Sequence, residues 1–267
     1  MTTTEHESLR QQYNPDGSDL RNLQLSILKT MCAFDQFAKE HGIKYSLAYG
    51  SLLGAVRHHG FIPWDDDADL WILRSEYEKL KALADDNGML TENLLIRKES
   101  FPYVILKGGA SIDLFVLDGT PSSPILRRLK SLCATFMICL QKAKGRMSIR
   151  YFSHPKPWFV FMPLALCFSQ KSIWGGVERV AQWFVLGGEK DEFGGSFQCA
   201  PGEAKACYPL ASMRNEMIEL EFEGRTFPCV REYDTYLSLR YGDYMCIPDV
   251  KLNAGRVKTT AKDVKRK

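Results

Sequence analysis

YGSLLGAVRHHGFIPWDDDADLWIL, residues 49–73, decides the reading of this chain. At its centre Trp64-Asp65-Asp66-Asp67-Ala68-Asp69 places four carboxylates within five positions and runs straight into Leu70-Trp71-Ile72-Leu73. The apolar run predicts a buried strand. Side chains alternate faces along a strand, so Asp67 and Asp69 point the same way, and Asp65 joins them if the extended stretch reaches back that far. Carboxylates crowded on one face repel, so either their pKa values rise or a cation neutralises them. A hard divalent ion suits the place, because Mg²⁺ takes oxygen ligands and commonly combines one or two carboxylates with substrate phosphates. A solvated acidic turn is the plain alternative, but such turns seldom lead directly into a buried strand.

Upstream, residues 44–49 read as a short strand, and Gly50-Ser51 opens a helix over 52–59 with Gly60 as its closing residue. A glycine at that turn lets a ligand approach the backbone, and a helix N-terminus offers N–H groups to phosphate, with the Ser51 hydroxyl beside them. Strand, Gly-Ser, short helix and Asp-x-Asp on the next strand is the layout of nucleotidyltransferase-type phosphoryl-transfer sites. Further on, 103–107 and 112–117 read as a hairpin turning at Gly108-Gly109-Ala110-Ser111. Asp113 is a lone acid in its second arm and needs a partner. Either it completes the acid set or it pairs with Lys107 across the hairpin. Asp118, beside Gly119, reads as a turn residue. Cations for substrate phosphates are Arg57, His58, His59 and Lys107, with Arg57 suited to a bidentate clamp; the plain reading of the histidines is a helix end complementing the dipole.

The run 47–70, LAYGSLLGAVRHHGFIPWDDDADL, resembles the signature of the LicD family, which includes the fukutin-related proteins of animals. SIDLFVLDG (111–119) is similar to that family's second acidic motif, and YGDYMCIPD (241–249) to its closing segment. The resemblance implies an α+β fold, a nucleotidyltransferase-like mixed sheet flanked by helices, with a mainly helical inserted region. It implies a phosphotransferase that moves a phospho-alcohol, phosphocholine first among them, from a CDP-alcohol to a glycan or lipid-linked glycan, releasing CMP. Asp67, Asp69 and Asp113 take the catalytic and metal-binding places, with Mg²⁺, or Mn²⁺ in its stead. Asp65 and Asp66 either support the ligands from behind or order the loop. Gly50, Ser51, Arg57, His58 and Lys107 take the substrate phosphates. A choline cargo would need aromatic faces, and Trp158 and Trp174 of the middle region are candidates. Transfer of the nucleotide itself and a catalytically silent role in glycan assembly stand as the alternatives.

The remainder sets the frame. A chain of 267 residues, 45% hydrophobic and 25% charged, has the composition of a globular protein, and a net charge of +3 does not point to nucleic acid. Eight cysteines fall singly, without a Cys-x-x-Cys pair, and the polar first residues carry no signal-peptide pattern, which predicts reduced thiols in a cytoplasmic protein and no zinc. Residues 1–17 read as a frayed lead-in. Ser18 caps a helix to about His41 followed by Gly42, its stripe Leu20, Leu23, Ile27, Met31 and Phe34 facing the core. Ser75-x-x-Glu78 reads as a capping box for a helix ending near Gly88. The expected organisation is a catalytic core over 18–120, a helical insertion over 121–190, a part completing the core over 191–250 and a basic tail over 251–267. The insertion mixes short apolar runs with basic flanks, none long enough for a membrane span, which suits a helical core or a peripheral contact at the inner face of a membrane. In the last part 217–223 alternates and turns at Gly224-Arg225 into a hairpin, before a helix over 231–240.

Overall fold

Ser18 starts helix α2 (Asp19–His41) by accepting a hydrogen bond from the Arg21 amide, and Gly42, at φ 62°, ends it. The computed structural model describes residues 3–97, 102–121, 123–145, 161–182, 193–195 and 208–247, in two units. The first unit spans residues 1–97, 102–114 and 212–267. In it α2 buries Leu20, Ile27, Met31, Phe34 and Phe37. The residues before it form a helix rather than a frayed lead-in: α1 (Thr3–Tyr13). Its end is anchored, because Arg10 pairs with Glu7 and Asp16, the Tyr13 ring meets Trp64 edge-on at 5.6 Å, and buried Asn14 donates to Gln24 at 2.6 Å. Such tertiary contacts outweigh weak helix propensity.

The strands are β1 (Tyr45–Leu47), β2 (Asp69–Leu73), β3 (Leu94–Arg97), β4 (Tyr103–Leu106) and β5 (Ser111–Gly119), in a mixed sheet of order β1-β2-β5-β4-β3. With helices on the sheet the fold is α+β. β3 has only four residues, and its weak alternation gave the sequence reading no strand there. Helix α3 (Tyr49–His58) links β1 to β2, and α4 (Arg74–Leu83) follows β2. α4 forms no side-chain cap: Ser75 already lies inside the helix, so Glu78 pairs with Arg74 at 3.5 Å instead of reaching back to an N-cap.

Late in the chain, β8 (Ile218–Phe222) and β9 (Arg225–Cys229) make the expected hairpin. Glu223 and Gly224 both have positive φ, as a two-residue turn matched to strand twist requires. Glu219 and Glu221 face solvent and Phe222 is buried. A short helix α8 (Leu210–Arg214) precedes the hairpin in sequence and helix α9 (Tyr233–Tyr241) follows it.

The second unit spans 98–101 and 115–211. Within it the far half of β5 pairs with β6 (Phe193–Gly195), which pairs with β7 (Tyr208–Pro209). Three helices, α5 (Pro124–Gly145), α6 (Met162–Leu166) and α7 (Gln170–Gln182), pack around Leu140, Ala143, Ala165 and Ile173. Lys130 is fully buried and donates to the Gly119 carbonyl at 2.7 Å, which gives its ammonium an acceptor inside the unit. Ile125, Leu129, Leu132 and Phe136 recur at helical spacing on α5 and are exposed. Among the described residues no helix is long and apolar enough to cross a membrane. The six cysteines among the described residues of the whole chain are free thiols; Cys199 and Cys207 lie outside the described residues.

Candidate active site

The site grows from the β1–α3 junction. α3 begins at Tyr49, earlier than residue 52, so Gly50 and Ser51 lie in its first turn. Tyr49 itself has φ 42°, a conformation few non-glycine residues adopt. The helix closes on His59, at φ 54°, and not on Gly60. Gly60 is small for another reason: a Cβ there would stand 2.6 Å from Glu223 Oε1, a carboxylate that pairs with Arg21 at 2.7 Å. Gly50 is small because a Cβ would stand 2.6 Å from Asp65 Oδ2. The close approach at this glycine is made by one of the chain's own carboxylates.

The acids follow. β2 begins only at Asp69, so residues 65–68 form a loop, and Asp65 is not in line with Asp67 and Asp69 along a strand but folds back against Gly50. Gln24 of α2 fixes that loop, donating to the carbonyls of Asp65 at 2.8 Å and Ile62 at 3.3 Å. The Asp69 amide donates to Ser51 Oγ at 2.9 Å, which ties the α3 turn to the start of β2. The Asp113 amide donates to the Ala68 carbonyl at 2.8 Å and brings the third strand's acid alongside. Oxygens of Asp65, Asp66 and Asp67 lie within 4.8 Å of one another.

The electrostatic consequence is strong. Burial first, then the Asp67 charge and a hydrogen bond with it, push the Asp65 carboxyl well above the usual carboxylate range. Asp69 is raised likewise, by burial and then by Asp67, Asp113 and Asp65, with Arg240 opposing. Asp113 is pushed up to about 6, by burial and then by Asp67. Asp66 Oδ2 is a buried oxygen with no hydrogen-bond partner. Hard oxygen donors that repel one another, one of them orphaned, fit a divalent cation such as Mg²⁺. The grouping adds Asp65 and Asp66 to the residues that would face it.

The basic candidates separate. Arg57 is buried and spent within the chain, donating to His58 Nε2 at 2.9 Å and to the carbonyls of Tyr244 at 2.8 Å and Cys246 at 3.2 Å. It pins the segment after α9, and burial lowers its pKa. His58 is buried beside Trp64, and His59 is the exposed helix end. Lys107 is exposed at the hairpin tip; Asp113 pairs with Tyr103, four positions and about 13 Å along the ladder. The structure therefore brings together Gly50, Ser51, Asp67, Asp69 and Asp113, and it brings neither Arg57 nor Lys107 to the acids. Trp158 lies outside the described residues, and Trp174 stands half-buried on α7 of the second unit. Sequence reasoning missed Gln24 and Arg240. A glutamine interrupting the apolar stripe of α2 was the available signal for the first, and its place beside Tyr241-Gly242-Asp243 for the second.

An α+β domain with a carboxylate cluster set against the first turn of a helix is an arrangement that would suit a divalent cation and a phosphate ester. A family model described as LicD/FKTN/FKRP, nucleotidyltransferase domain, matches residues 42–106, which include Gly50, Ser51 and Asp65 to Asp69 and stop short of Asp113. Lipopolysaccharide cholinephosphotransferase LicD of Haemophilus influenzae is 27% identical over 255 residues, 86% of this chain and 92% of that protein. Uncharacterized protein RT0683 of Rickettsia typhi is 42% identical over 92 residues, 34% of this chain and 28% of its own length. Uncharacterized protein RP689 of Rickettsia prowazekii is 42% identical over 52 residues, 20% of each chain. Residues 42–106 thus match the LicD/FKTN/FKRP nucleotidyltransferase domain, and the chain is similar over most of its length to a LicD protein.

Proposed function

We propose that this protein transfers phosphocholine from CDP-choline to a hydroxyl of a lipopolysaccharide glycan and releases CMP. The observation that carries the reading is the convergence of Asp65, Asp67, Asp69 and Asp113 on the Gly50 turn, in a chain similar over most of its length to a lipopolysaccharide cholinephosphotransferase. Asp67, Asp69 and Asp113 would hold Mg²⁺, with Asp65 and Asp66 beside them. When bound, the ion supplies charge neutralisation for the diphosphate and for the departing CMP.

The chain's own groups then have distinct work. The first turn of α3 directs amide N–H groups toward phosphate, and the Ser51 hydroxyl, already an acceptor from Asp69, retains its proton to donate. The acceptor oxygen attacks the choline-bearing phosphorus in line; the new P–O bond forms as the bond to the bridging oxygen breaks, and CMP leaves with that oxygen. Asp113, on the neighbouring strand, takes the hydroxyl proton. A lipid-linked acceptor also suits a peripheral contact at the inner face of a membrane, and the exposed apolar stripe on α5 with Arg128 beside it supports that placement.

The test is a panel of CDP-alcohols offered to the purified protein with lipopolysaccharide, following CMP release with Mg²⁺ and with EDTA. CMP release from CDP-choline above all others, abolished by EDTA, is the expected result. Release of pyrophosphate or a nucleotidyl product would replace the reading with nucleotide transfer.

A further inference from the structure

With Arg57 committed to backbone carbonyls and Lys107 at the hairpin tip, neither is placed to meet the substrate phosphates, which leaves room for another cation. The last turn of α9 supplies one. The guanidinium carbon of Arg240 lies 4.6 Å from the centroid of the Tyr49 ring and 5.5 Å from that of Tyr241. Tyr49 opens α3 directly before Gly50, so the guanidinium stands over the turn against which Asp65 folds.

The platform under it is braced. The Tyr49 ring meets Trp71 of β2 edge-on at 5.5 Å and Tyr236 of α9 at 6.4 Å, and Trp71 and Tyr236 meet each other at 4.6 Å. Three elements thus fix one aromatic face. A guanidinium on such a face directs its N–H groups edgewise, the geometry that meets a planar or tetrahedral anion, and a side-chain hydrogen bond with Tyr241 fixes its orientation. Asp69 lies within electrostatic reach of the same guanidinium. Asp69 within reach of its charge and the Tyr49 ring beneath it put the guanidinium near the acid cluster.

We propose that Arg240, seated on Tyr49, is the clamp for the diphosphate of the donor, an inference that deepens the phosphotransfer reading and rests on it. The acids would take the cation side of a metal–diphosphate substrate and Arg240 the anion side. The positive φ of Tyr49 has a use in this arrangement, since it sets the ring beneath the guanidinium while the next residue begins the phosphate-facing turn.

The test is calorimetric binding of inorganic pyrophosphate in Mg²⁺ to the full chain and to Arg240→Gln, Arg240→Lys and Arg231→Gln. Arg231 is an exposed control cation in the same unit, paired with Glu216 at 3.2 Å. Arg240→Gln should bind pyrophosphate at least ten-fold more weakly, Arg240→Lys should recover only part of the loss, and Arg231→Gln should match the wild type. Tm is measured alongside, and the lysine variant, which keeps the charge, carries the test if the glutamine variant does not fold. Wild-type affinity in Arg240→Gln, an equal loss in Arg231→Gln, or a wild type that does not bind pyrophosphate would overturn the clamp. A wild type that binds pyrophosphate through Arg240 but leaves CDP-choline intact would support the clamp and defeat only the choline-transfer reading.

Discussion

Asp113→Asn should make the metal-free protein more stable, although it removes a carboxylate from the proposed site. In the folded chain burial and the Asp67 charge hold the Asp113 pKa at about 6, against 3.8 ordinarily. A group raised in this way contributes stability that is fully present below its unfolded value and is lost as pH rises through its folded value. Two pH units at about 1.4 kcal/mol each make that loss about 3 kcal/mol at pH 8. Asparagine occupies nearly the same volume and cannot ionise, so it escapes the loss. For a chain of this size the gain corresponds to a rise in Tm of roughly 6–12 °C. Thermal melts in EDTA, followed by circular dichroism from pH 4 to pH 8, should show a difference that is constant above about pH 6.5 and shrinks toward pH 4. With saturating Mg²⁺ the order should narrow or reverse, because the ion rewards the ionised carboxylate and cannot reward the amide. A variant destabilised above about pH 5, with the deficit vanishing at lower pH, would mean that Asp113 is paired with a cation, and the electrostatic account of the site would fail.

Three further expectations concern the same chain. Asp67→Asn and Asp69→Asn should each lose most transferase activity while their far-ultraviolet spectra stay native; full activity in either would reject the assignment. Gly50→Ala drives a Cβ to within 2.6 Å of Asp65 Oδ2, so the carboxylate must move, and Mg²⁺ affinity measured by calorimetry should fall several-fold with the fold retained; unchanged affinity would separate Asp65 from the metal. Replacing Ile125, Leu129 and Leu132 on α5 with serine should reduce co-sedimentation with anionic vesicles at low salt, and a wild type that never co-sediments would end the membrane-contact reading.

How much of this was legible beforehand depends on the range of the forces involved. Helix α2 was, because its cap, stripe and closing glycine are local features, and so was the β8–β9 hairpin with its alternating glutamates. That Asp113 needed a neighbour was legible through the interruption of an apolar strand by an acid, but whether that neighbour was the acid set or Lys107 was not. Helix α1 was not, since contacts of Tyr13 and Asn14 with residues distant in sequence hold it in place. Nor was the fate of Arg57. Its position on the short helix suited a phosphate clamp, but the carbonyls of Tyr244 and Cys246, nearly 190 positions away, take its donors. The same distance hid Arg240, whose relation to Tyr49 exists only once α9 folds against α3. Gly50 was read as room for a ligand, whereas the close neighbour is Asp65, an outcome that alternation along a strand could not supply because the strand starts at Asp69.

The central claim is that the acid cluster moves the alcohol-bearing phosphate and not the nucleotide. CDP-choline carrying one label in the cytidine and another in the choline, incubated with lipopolysaccharide and the purified protein, tests it most directly. The expected result is choline label in the lipopolysaccharide and cytidine label recovered as CMP, in equal amounts, both absent in EDTA and in Asp69→Asn. Cytidine label in the lipopolysaccharide, or transfer indifferent to EDTA, would contradict it.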